Sequence, residues 1–163
     1  MAISFYLIFN FYHSALSILT SSKITLKEAT QRLSKSHPED VFAKQFLFET
    51  DSIPMPNDEI KEYALQSFKE NRNLYEACNE FMGRIFHDFK FVSGFSNITT
   101  PIEIVFKEKK GVCQDFAQFA ISSLRSIGIP ARYISGYLQT TSKEGKEKLF
   151  GADASHAWFS IYI

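Results

Sequence analysis

Six apolar positions, Cys113, Phe116, Ala117, Ala120, Ile121 and Leu124, recur at i, i+3, i+4, i+7, i+8 and i+11. No other segment limits the fold as tightly. The spacing lays one stripe along an α-helix and is incompatible with a strand, whose faces alternate every second residue. Gly128 and Pro130 then end the helix, the first by reaching the left-handed conformation and the second by lacking a donor N–H. Arg132 to Leu138 follows as a predicted strand. Thr140 to Gly151 is a polar loop, and Ser155 to Ile163 is a second strand. Alternation puts His156, Trp158, Ser160 and Tyr162 on one face of that strand and Ala157, Phe159, Ile161 and Ile163 on the other.

The preceding half reads as helical. Thr25-Leu26-Lys27-Glu28 has the capping-box spacing and opens a short helix from Leu26 to about Ser34. Pro38 fits the first position of a second helix carrying Val41, Phe42 and Phe46. Asp58 and Glu59 begin a third helix, where acids complement its dipole. Leu74, Ala77, Cys78, Phe81 and Ile85 stripe a fourth. Ser93 to Pro101 is a loop, Pro101 to Phe106 reads as a short helix, and Lys107, Lys109 and Lys110 read as a solvated turn. Helices followed by strands imply an α+β fold.

Composition narrows the function. A chain of 163 residues holds one core rather than two full domains. With 18 Lys plus Arg against 18 Asp plus Glu, no global field recruits nucleic acid. Two cysteines, Cys78 and Cys113, make no disulfide framework, and neither they nor the four scattered histidines show metal-ligand spacing. A reducing, cytoplasmic setting is the expectation. Residues 1–22 form an apolar leader. Asn10 and His13 interrupt it, and no Lys or Arg precedes Lys23, which argues against both a membrane span and a secretory signal. Membrane association or export through residues 1–22 is the alternative.

The chemistry centres on Cys113 and His156. A thiol at a helix N-terminus meets unpaired N–H groups and positive potential that favour the thiolate, and the same N–H groups could hold an oxyanion. His156, on a strand, is the candidate base. Gln114 is a candidate second oxyanion donor, and Trp158 is a wall of the site or part of the core. Cys78, mid-helix on an apolar stripe, reads as core. Asp115 reads as a structural hydrogen-bonding group. Asp153 falls on the wrong side of the strand to orient His156.

Three segments carry a resemblance. Gly111-Val112-Cys113-Gln114-Asp115-Phe116-Ala117, the run from Leu124 to Tyr137 through Gly128-Ile129-Pro130-Ala131-Arg132, and Gly151-Ala152-Asp153-Ala154-Ser155-His156-Ala157-Trp158 closely resemble the bacterial transglutaminase-like family. The likeness extends over about Thr25 to Ile163. It implies a domain over 23–163, with a helical lead-in at 23–100 and a catalytic core at 101–163 similar in fold to papain-like cysteine proteases. Cys113 and His156 take the family's catalytic positions, and the implied reaction is acyl transfer at an amide of a peptide or protein, with no metal or organic cofactor. The same two residues serve hydrolysis and transamidation alike.

The family's third catalytic residue is an Asp on the strand after the histidine strand, so the core is expected to be truncated at Ile163. That expectation leaves two readings: an acyl-transfer enzyme, or an inactive remnant or interaction module. It also implies that Ser155–Ile163 forms an exposed sheet edge suited to self-association.

Overall fold

The computed structural model describes residues 2–5, 24–35, 38–137 and 155–162. Six helices lie among these residues: α1 (Leu26–Ser34), α2 (Pro38–Lys44), α3 (Asp58–Leu65), α4 (Leu74–Asp88), α5 (Ile102–Glu108) and α6 (Cys113–Ser126). Their starts follow the sequence signals. Thr25 and Glu28 close a reciprocal capping box on α1, and the side chains of Asn57 and Asn73 accept backbone N–H bonds at the heads of α3 and α4.

The strands are β1 (Ala2–Phe5), β2 (Lys90–Phe91), β3 (Lys110–Gly111), β4 (Ala131–Tyr137) and β5 (Ser155–Tyr162). They form an antiparallel sheet of order β1-β5-β4 and a small parallel pair, β2-β3. The fold is therefore α+β, as the element order implies. The expectation of an open edge at β5 is corrected over half of the strand. Ala2 to Phe5 pairs with Tyr162 to Phe159 on one side of β5, and β4 pairs along the other, so the Phe159–Tyr162 half of β5 is an interior strand, while Ser155–Trp158 pairs with β4 alone among the described residues. A four-residue strand at the start of a longer apolar run has no boundary signal in sequence. The rest of the leader, the 140–151 loop and Asp153 lie outside the described residues. Among the described residues, no helix is long and apolar enough to cross a membrane.

Helix α6 is the axis of the core. Phe116, Phe119, Ala120 and Leu124 are fully buried between the strands and the aromatic cluster of α3, α4 and α5. The burial runs wider than the single stripe read from sequence, because Ser122, Ser123 and Arg125 are buried too. Each polar group finds a carbonyl: Ser122 donates to Pro54, Ser123 to Phe119, and Arg125 to Ala131 and Phe48. Arg125 thereby ties the end of α6 to the first residue of β4, while Gly128, at φ 83°, reverses the chain between them.

Candidate active site

Cys113 is the first residue of α6 and is half-buried, whereas the stripe behind it is fully enclosed. The first N–H groups of an α-helix have no intrahelical partner. Here those nearest the thiol belong to Cys113 and Gln114, and Gln114 is itself half-buried. The thiol therefore stands where backbone dipoles favour an anion.

The turn ahead of it is held from inside the helix. Asp115, only 3% exposed, reaches back to accept the Val112 N–H at 2.6 Å and also accepts a hydrogen bond from the Ser96 hydroxyl. One carboxylate thus fastens both the head of α6 and the 93–101 loop, the structural role read for it in sequence. Gly111 makes room for it: a Cβ there would lie 2.9 Å from the Asp115 Oδ2 and 3.1 Å from the Phe116 ring. The β2–β3 pairing brings the same loop alongside, with Val92 N–H donating to the Gly111 carbonyl at 2.9 Å.

Lys109 corrects the reading of a solvated turn. Its backbone is left-handed at φ 52°, and its ammonium lies 3.5 Å from the Phe106 centroid, 4.6 Å from Phe89 and 4.8 Å from Tyr63. The other cation near Tyr63 is Arg84, 4.0 Å from the ring centroid, and the phenol donates to Asp88 at 2.8 Å. Burial lowers the Lys109 pKa. A non-glycine residue keeps such a conformation when its surroundings over-determine it, and three rings around one ammonium do so here.

His156 is the second residue of β5, opposite Gly136 of β4. Helix α6 is about 20 Å long at ~1.5 Å per residue, and β4 returns about the same distance at ~3.3 Å per residue. Since the chain reverses at Gly128 and α6 packs against both strands, Cys113, Gly136 and His156 come to the same end of the layer. Alternation gives His156 the face it shares with Trp158 and Tyr162, the face turned away from Phe159 and Ile161. Among the described residues, no hydrogen bond joins Cys113 and His156. Trp158 is half-buried, with its ring over Gly136, where a Cβ would meet it at 2.6 Å.

Cys78 is fully buried on α4, and desolvation pushes its thiol well above the ordinary range. It is a core residue, in agreement with its sequence reading. Among the described residues no group of three or more His, Cys, Asp or Glu is gathered to hold a metal. Sequence reasoning missed Tyr133, Ser96 and the Lys109 cage. Only a Gly at position 111 with an Asp four positions on hints at the clamp, and nothing in the spacing marks Tyr133.

A model of the transglutaminase-like superfamily matches residues 61–163. An uncharacterised protein of Mycobacterium tuberculosis is 43% identical over 109 residues, covering 67% of this chain and 35% of that protein. The uncharacterised YebA of Bacillus subtilis is 24% identical over 147 residues, covering 81% of this chain and 19% of that protein. A crystal structure from Cytophaga hutchinsonii, described as a candidate cysteine protease, aligns with a TM-score of 0.60 at 28% identity, covering 76% of this chain and 39% of that one. The chain spans about a third of the length of its mycobacterial relative.

Proposed function

Because this chain belongs to the transglutaminase-like superfamily, we propose that it carries a thiol acyl-transfer centre acting on amide bonds of peptides or proteins. Cys113 is the nucleophile. Its sulfur bonds to the amide carbonyl carbon, and the C=O π pair moves onto oxygen. Collapse of that intermediate expels the amine, which takes its proton from His156, the base that first received the thiol proton. Water then releases an acid, or a second amine forms a new amide. Backbone N–H groups of Cys113 and Gln114 face the developing oxyanion.

The observation that carries this reading is the position of Cys113: a half-buried thiol on the first residue of the most enclosed helix, its turn fastened by Asp115. His156 reaches the same end of the α6–β4–β5 layer but on the face of β5 opposite Phe159 and α6, so its part as the base rests on the superfamily resemblance and not on a contact with Cys113.

The test is capture of the acyl-enzyme. The protein is mixed with an activated acyl ester and followed by intact mass, with Cys113→Ser and His156→Ala alongside. The expected result is one acyl adduct on Cys113, formed far more slowly in His156→Ala and absent as a thioester in Cys113→Ser. An adduct that forms equally in all three proteins would sink the reading. Adding a primary amine to the trapped adduct then separates transamidation from hydrolysis by the mass of the product.

A further inference from the structure

We propose that the Tyr133 hydroxyl is a further catalytic group, donating a hydrogen bond to the carbonyl oxygen of an acyl group as it bonds to Cys113. The inference deepens the acyl-transfer reading above and rests on it.

Its first support is where α6 ends over the sheet. Tyr133 pairs with Phe159, so the two share the face that meets α6. Along that face of β4, Ala131 is buried, Tyr133 is half-buried, and Ser135 and Tyr137 are exposed. Tyr133 is thus the last residue the helix covers, at the lip left open where α6 begins. Cys113 is the residue that begins it.

The second support is electrostatic. The phenol is raised above its ordinary value of 10.0 by burial, then by the charges of Cys113 and of Asp115. A phenol held protonated by burial can donate a hydrogen bond but not compete as a base. The third is hydrogen-bond accounting: within the described residues the Tyr133 hydroxyl has no partner, whereas the Tyr63 phenol donates to Asp88.

The chemistry balances without a new reactant. As the Cys113 sulfur bonds to the carbonyl carbon, negative charge collects on the carbonyl oxygen, and Tyr133 shares the stabilisation with backbone N–H groups at the head of α6. No proton leaves the phenol. When the C–N bond breaks, the C=O bond re-forms and the hydrogen bond relaxes.

The test compares two reactions at one sulfur in Tyr133→Phe, which keeps the ring and its packing. Alkylation by iodoacetamide passes through no oxyanion, whereas acylation by an activated ester does. Removing an oxyanion donor costs about 10²-fold or more. The expected result is an acylation rate lowered about 100-fold, an alkylation pH profile superimposable on the parent, and an unchanged melting temperature. Acylation at the parental rate overturns the proposal while leaving the role of Cys113 intact. An equal fall in both reactions also overturns it, since that marks a structural or thiolate-stabilising role. Failure of the parent chain to acylate at Cys113 removes the function reading and this proposal together.

Discussion

Replacing Asp115 by Ala should cost more than any other single change at the head of α6. The carboxylate is buried and accepts two hydrogen bonds, from the Val112 N–H at 2.6 Å and from the Ser96 hydroxyl. Loss of a capping side chain typically costs about 0.5–2 kcal/mol. A buried N–H left unpaired costs about 1–3 kcal/mol, and these two figures describe largely the same bond. Adding the Ser96 contact at ~1 kcal/mol gives a total of about 2–4 kcal/mol. In a protein of this size each kcal/mol moves Tm by about 2–4 °C, so the expected drop is on the order of 5–15 °C. Asp115→Asn keeps an acceptor for Val112 and should lose about half as much. Ser96→Ala should cost about 1 kcal/mol.

The decisive assay is urea unfolding of Ser96→Ala, Asp115→Ala and the double variant. Ser96 and Val112 share one oxygen, so the double variant should be no less stable than Asp115→Ala alone. Additive losses, or an Asp115→Ala penalty below ~0.5 kcal/mol, would refute the idea that one carboxylate fastens both the loop and the helix.

Further expectations follow from the same packing. Gly136→Ala would drive a methyl to 2.6 Å from the Trp158 ring; overpacking of this kind costs about 1–3 kcal/mol, and because Trp158 is the sole tryptophan, a shifted emission maximum should report it. At Lys109, alanine should lose the cage contacts and keep the left-handed strain, so Lys109→Gly should be the more stable of the two by about 1 kcal/mol, measured by thermal melts. Burial raises the thiol of Cys78 and the phenol of Tyr63, so the folded state retains protons that the unfolded state sheds. Stability should then be intact below about pH 8.5 and fall above it, by up to ~1.4 kcal/mol per pH unit for each group. Cys78→Ala should flatten the onset of that fall in urea titrations run at pH 7 and pH 9.5.

The helices were legible because their signals are local. Thr25 with Glu28, Asp58 with Glu59, and the stripe from Cys113 to Leu124 each act within a few residues. Cys113 and Asp115 were legible for the same reason. What escaped was non-local. The pairing of Ala2–Phe5 with β5 joins residues more than 150 positions apart, and no turn chemistry announces it. The two-residue β2–β3 pair is too short for periodicity. Lys109 was misread because a lysine beside two others is usually solvated, and only the convergence of Phe106, Phe89 and Tyr63 from three helices or their ends makes it otherwise. Tyr133 looked like any strand aromatic until α6 was seen to end over it.

The central claim is that Cys113 and His156 work as one unit, and the pH dependence of iodoacetamide alkylation at Cys113 tests it most directly. In the parent protein, labelling should persist well below pH ~8.5, the free thiol's usual pKa, and His156→Ala should return the profile to that of an ordinary thiol. A profile that already follows an ordinary thiol, or one that His156→Ala leaves unchanged, would contradict the claim.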